Sequence, residues 1–244
     1  MERFLIALQF ITRIPVTKEL DYTEEKIAGS MVYYPLIGTL LGSILVLING
    51  VGSLYLPELV TSSLLLIGLV VLTGGIHLDG FMDTCDGIFS GRNQEKMLEI
   101  MRDSRVGAFG VLGVVLLLLL KFSLLVELPA ESNNFVLLYF PTVSRWAMVY
   151  SAFNYPYPRE EGLGKVYAQQ LTKLQFGLAT AWTVLLGVVL FKLQGLVILL
   201  VSWLLIVLTA KVITAQIEGL TGDSYGAVNE LLEVGVILAI FCGL

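Results

Sequence analysis

The stretch "HLDGFMDTCDGIFSGR" (77–92) sets Asp79, Asp83 and Asp86 at i, i+4 and i+7, beside His77, the chain's one histidine. On a helix of roughly 100° per residue these carboxylates fall within about a 60° sector. Three negative groups so close repel one another unless something positive sits among them. A hard divalent cation, Mg²⁺ with Mn²⁺ as a substitute, is the natural occupant. Arg92, Arg102 and Arg105 follow on the same segment. Carboxylates, metal and phosphate-binding arginines together suit chemistry on a diphosphate, where the metal bridges phosphate oxygens and neutralises the leaving group. The plainer alternative is a solvated acidic face on a loop. His77 would point roughly opposite the aspartates if the same helix includes it. It would be a general base if the helix begins after it or a partner helix supplies the site, and a structural hydrogen-bonding group otherwise.

A second set lies in "GLTGDSYGAVNELLE" (219–233). Asp223 sits in a glycine-rich turn, where it caps the following helix or binds metal or substrate. Asn229 and Glu230 lie deeper toward an apolar run, where a merely decorative charge would be costly, so they rank above Glu233 as site candidates. Arg145, in "PTVSRWAMVY", falls in the middle of an apolar stretch. It is expected to face the bundle interior and to pair with a substrate phosphate, or with a carboxylate that fixes helix register. Lys121 is expected to snorkel at the end of its stretch and is given no role.

The elements that must position these residues follow from composition. The chain is 56% hydrophobic and 14% charged, with mean hydropathy +0.83, far from the roughly 45–50% and 25% of soluble domains. Its apolar stretches reach the roughly 20 residues that cross a bilayer as helices and lack the alternation of a membrane barrel. The fold class is therefore all-α, a polytopic integral membrane helical bundle in a single domain, 1–244. About seven transmembrane helices are expected, over 32–56, 59–76, 107–128, 135–153, 175–192, 195–213 and 227–244. "MERFLIALQFITRIP" is too short to span, and no small-residue cleavage site follows it. It reads as an N-terminal interfacial amphipathic helix with Phe4, Leu5, Leu8 and Ile11 on one side. Cys85 and Cys242 suggest neither a disulfide nor a zinc site.

Lysine and arginine concentrate in alternate connections. Arg3, Arg13, Lys18 and Lys26 precede the first span; Arg92, Lys96, Arg102 and Arg105 follow the second; Arg159, Lys165 and Lys173 follow the fourth. Positive charge favours the cytoplasmic side, so the N-terminus and every acid-rich segment are expected there.

Taken in order along the chain, "ALQFITRIP", "YYPLIGTLLG", "GGIHLDGFMDTCDG", "LEIMRDSRVGAFGV", "SRW" and "TGDSYGAVNE" resemble the cobalamin 5′-phosphate synthase family, the adenosylcobinamide-GDP ribazoletransferases. Cys85 stands where a small residue such as alanine is expected, and Glu218 where glycine is. The resemblance implies that adenosylcobinamide-GDP reacts with α-ribazole or its 5′-phosphate, giving adenosylcobalamin or its 5′-phosphate and GMP, with Mg²⁺. On this chain Asp79, Asp83 and Asp86 would hold the metal, and Arg102, Arg105 and Arg145 would bind phosphate oxygens. Asp83, or alternatively His77 or Asp86, would take the proton, and Asp223, Asn229 and Glu230 would complete the site. The resemblance places the enzyme in the cell inner membrane, with the two substrates and the lipid bilayer as partners and no nucleic acid. A second copy of the chain and neighbouring cobamide-assembly enzymes are further candidate partners.

Two rivals come from other classes. "DTCDGIFSGR" is similar to the start of the CDP-alcohol phosphotransferase pattern, but Arg92 is displaced by one position and the later acidic portion is missing. A cation-coupled transporter would use the aspartates near the bilayer midplane on broken helices.

Overall fold

The computed structural model describes residues 1–129 and 133–242, in which there are helices and turns but no strand. Helix α1 (Glu2–Ile11) leads through an extended segment to α2 (Glu24–Ser30), a 3₁₀ turn and α3 (Tyr34–Tyr55). Pro57 separates α3 from α4 (Glu58–Thr73), and α5 (Ile76–Ile88) and α6 (Gln94–Ile100) follow. The long helices α7 (Ala108–Val126) and α8 (Asn133–Asn154) come next, then the short α9 (Leu163–Gln170). Helices α10 (Lys173–Phe191), α11 (Leu193–Ile217) and α12 (Gly222–Phe241) complete the described chain. Their ends follow local chemistry: Thr172 and Gln175 form a reciprocal capping box on α10, and the Thr221 hydroxyl accepts from Ser224 N at the start of α12.

Among the described residues, five stretches are long and apolar enough to cross a membrane: Glu24–Tyr55, α7, α10, α11 and α12. The pair α4 and α5 makes a sixth only if counted together, and it is bent by 87°. The protein is thus a multi-pass helical membrane protein with five or six such stretches where about seven were expected. The difference lies in α4, only 16 residues long, and in α8, which carries Pro141 and Arg145. Helix α8 is the axis of the bundle, buried along most of the way from Val136 to Ala152. Other helices shield it from lipid, so it need not be apolar. Helix α3 lies close along it: a Cβ at Gly42 would meet Leu138 backbone at 2.7 Å, the small-residue contact typical of membrane helices. The expected last span ends at 243–244, outside the described residues.

Helix α1 forms where expected, but its buried residues, Ile6, Ala7, Leu8 and Ile11, lie against the foot of the bundle. Phe4 packs edge-on to Tyr33. The apolar face that the sequence offers to lipid is covered largely by the protein itself.

Glu218 ends α11 with φ of 60°, in the left-handed region. That conformation costs an L-residue about 1–2 kcal/mol, and glycine is its usual occupant. Glu218→Gly is expected to stabilise the protein by about 1 kcal/mol, after glycine's own entropic cost. The check is the thermal unfolding midpoint in detergent; an unchanged or lowered midpoint rejects the claim.

Candidate functional site

Gly74 and Gly75 both take positive φ, 64° and 71°, and turn the chain sharply between α4 and α5. Such consecutive left-handed residues are inexpensive only for glycine. Helix α5 then crosses α12 backbone to backbone. A Cβ at Gly80 would lie 2.8 Å from the Asp223 carbonyl oxygen, and one at Gly226 would lie 3.0 Å from that of His77. The crossing brings Asp79 and Asp83 of α5 to Asp223 of α12. Asp83 is half-buried, with Asp223, Asp79 and Asp86 as its charged neighbours and Arg159 as the opposing charge. Crowding of this kind is relieved by a cation or a proton. Arg159, in the connection after α8, donates to Asp223 Oδ2 at 2.9 Å, and its side chain is largely buried. Sequence reasoning saw Arg159 only as a topological charge. Its burial against α12 is tertiary information.

Asp86 is placed differently from its two helix partners. Its carboxylate accepts from Gly107 N and Gly110 N, each at 2.8 Å. It thereby satisfies two of the unpaired amides that begin α7, with its charge set favourably against the helix dipole. The shared helical sector could not reveal this, because the last turn of α5 is overlain by another element. Asp86→Ala strands two amides and is expected to destabilise the protein by about 2–3 kcal/mol. A wild-type unfolding midpoint would remove the capping role.

No three His, Cys, Asp or Glu side chains among the described residues are arranged to hold one metal ion. The expected triad does not close as a ligand set, since Asp86 is committed to α7. Mg²⁺, however, commonly takes one or two carboxylates and completes its shell with phosphate oxygens and water. Asp79 and Asp223 fit that partial role, with Asp83 between them.

The other expected site residues divide. Arg102 is exposed and shares a surface groove with Arg159, Glu99 and Glu160. Arg105 is exposed and bonded to Asp103 at 2.6 Å; this guanidinium holds the Asp103 carboxyl down at about 2. Arg145, Asn229 and Glu230 are brought together, but inside the bundle. Arg145 pairs with Glu233, and Lys121 Nζ reaches Glu230 and Glu233 at 2.5 and 2.6 Å. Asn229 Nδ2 lies 3.4 Å from carboxylate oxygens of both glutamates. The carboxylate partner for Arg145 is thus Glu233, the residue ranked lowest. Lys121 does not snorkel: it is 2% exposed and central to the cluster. His77 is buried on the α12 side of α5, near Arg145, Glu233 and Lys121, and neither ring nitrogen has a hydrogen-bond partner among the described residues.

Fold and site together define a multi-pass membrane protein whose carboxylates and one buried arginine meet where α5 crosses α12. A family model described as cobalamin-5-phosphate synthase matches residues 3–241, and the chain belongs to that family. It is 41% identical over 246 residues to an adenosylcobinamide-GDP ribazoletransferase of Desulfitobacterium hafniense, covering 99% of this chain and 97% of the relative. A protein of the same name from Desulforamulus reducens is 41% identical, covering 98% and 95%, and one from Clostridium novyi is 34% identical over the whole of both chains. No solved structure matches. The chain is accordingly an enzyme, a transferase of cobalamin biosynthesis.

Proposed function

We propose that the α5–α12 crossing is where the chain transfers ribazole, at the cytoplasmic edge of the cell inner membrane. The observation that carries this is the convergence of Asp79, Asp83 and Asp223 with Arg159. In this reading the ribose hydroxyl of α-ribazole, or of its 5′-phosphate, attacks the phosphorus bonded to the corrinoid arm of adenosylcobinamide-GDP. A P–O bond to the ribose forms, the P–O bond to GMP breaks in line, and GMP departs. Asp83, flanked by other carboxylates and without a side-chain hydrogen bond among the described residues, takes the hydroxyl proton. Asp79 and Asp223 would hold Mg²⁺ against the diphosphate, where the ion would neutralise charge building on the leaving group. Arg159 can turn part of its guanidinium from Asp223 to a phosphate oxygen; its Nε has no partner among the described residues. Arg102, on the rim of the groove that Arg159 shares, suits a more distant phosphate contact.

The cytoplasmic setting follows from the lysine and arginine bias of the connections. Two large polar substrates also require a site open to water.

The test is GMP release by purified protein given both substrates, first with Mg²⁺ and then with a chelator. Metal-dependent GMP release with a matching corrinoid product is the expected result. Release unaffected by the chelator would remove the metal, and no release from folded protein would remove the reaction.

A further inference from the structure

A cavity of about 180 Å³ adjoins the carboxylates and reaches from the exposed Asp79 and from Asp223 to the fully buried Tyr34. Tyr167, His77 and Tyr225 are among its other lining residues, most of which are apolar side chains and glycines. Tyr34 and Tyr167 meet edge to face, with ring centroids 6.3 Å apart and hydroxyls 3.2 Å apart, so these two phenols satisfy one another. His77 and Tyr225 do not share that arrangement. They are 3% and 2% exposed, and neither the His77 nitrogens nor the Tyr225 hydroxyl has a hydrogen-bond partner among the described residues. Buried polar atoms are nearly always paired, and those left unpaired carry a standing cost. Unpaired atoms on two side chains lining one largely apolar cavity describe a ligand: a flat ring with few polar atoms, hydrogen-bonded by His77 or Tyr225.

We propose that this cavity receives the bicyclic nitrogen base of the incoming nucleoside. Tyr225 or His77 donates to its ring nitrogen, and the attached ribose reaches out toward Asp83. The inference rests on the reaction proposed above and assigns one of its substrates a place. Size supports it, because pockets for drug-sized ligands run to about 300–1,000 Å³. This cavity is too small for a corrin ring or a whole nucleotide. Polarity separates the two bases present in the reaction. Guanine brings a carbonyl, an amine and a ring N–H, more groups than His77 and Tyr225 can satisfy, whereas a base with one unsubstituted ring nitrogen has no polar atom of its own left unpaired.

The experiment uses the full chain in liposomes and varies each substrate in turn. Tyr225→Phe removes one hydrogen bond and is expected to raise KM for α-ribazole 5′-phosphate roughly tenfold. KM for adenosylcobinamide-GDP should stay within about twofold, a split that general loosening of the site would not produce. His77→Gln serves as the second variant, and should show the same split. Direct titration of each protein with α-ribazole 5′-phosphate and, separately, with GMP identifies the base. Weakened ribazole binding with unchanged GMP binding supports the assignment. Weakened GMP binding alone would make this a guanine site and overturn it, as would ribazole affinity unchanged in both variants. If the wild type turns over and binds ribazole while the variants behave identically to it, only the cavity assignment falls. If the wild type binds neither nucleotide, the proposed reaction falls with it.

Discussion

Asp83→Asn is expected to lower kcat for GMP release by about 10²–10⁴-fold, the usual worth of a positioned general base. The substitution keeps the shape of the side chain and removes only its capacity to take a proton. Asp83 has no side-chain hydrogen bond among the described residues, and its charged neighbours are chiefly carboxylates, so a neutral amide relieves repulsion. The unfolding midpoint is therefore expected to be unchanged or raised. This sets Asp83 apart from Asp86, three residues along the same helix, whose loss falls on stability because its oxygens cap α7. The comparison also separates a proton acceptor from a metal ligand. Raising Mg²⁺ should recover part of the activity lost in Asp79→Asn, where cation affinity is weakened, but none of that lost in Asp83→Asn. A kcat within about threefold of wild type would sink the role given to Asp83.

Much of this architecture was legible in the sequence because a bilayer imposes a length and a polarity on whatever crosses it. Helices α3, α7, α10 and α11 begin and end within a few residues of the apolar stretches that foretold them. The stretch at 135–153 foretold α8 as closely, but not that α8 meets protein on nearly all sides and so can carry Arg145. Helical phase put Asp79, Asp83 and Asp86 on one face, but phase has no knowledge of what lies over each turn. The N-terminus of α7 covers Asp86, while Asp83 meets Asp223 from the far end of the chain. Arg159 was seen only as a loop charge, since an arginine that orients a membrane protein and one that docks on a carboxylate look alike in sequence. Lys121 and Glu233 are 112 residues apart. An isolated lysine near the end of an apolar run is reasonably read as snorkelling until its partners are known.

Glu233→Leu is expected to destabilise the protein by about 3–5 kcal/mol, the cost of leaving buried charge without its partner. Glu233 is wholly buried and pairs with both Arg145 and Lys121, while Lys121 is the one cation that Glu230 pairs with among the described residues. With Glu233 gone, two cations on α7 and α8 share one carboxylate in a site closed to water. Arg145 has Nε and Nη2 without partners among the described residues, and its Nη1 would keep only the neutral Ser144 hydroxyl, 3.0 Å away. Unfolding midpoints in detergent would read the effect. The decisive comparison is the double variant Lys121→Met with Glu230→Leu, which removes one charge of each sign and leaves Arg145 with Glu233. It is expected to lie within about 1–2 kcal/mol of wild type, because a neutral apolar replacement can match a buried ion pair. A double variant as damaged as Glu233→Leu would mean that packing, rather than charge balance, sets the cost. The cluster also bears on catalysis, for α12 carries Glu233 and Asp223 on one rigid rod. By fixing α12 against α7 and α8, Glu233 keeps Asp223 opposite Asp83. Folded Glu233→Leu protein should accordingly lose activity through misplacement of Asp223, a loss that a rise in Mg²⁺ would partly restore.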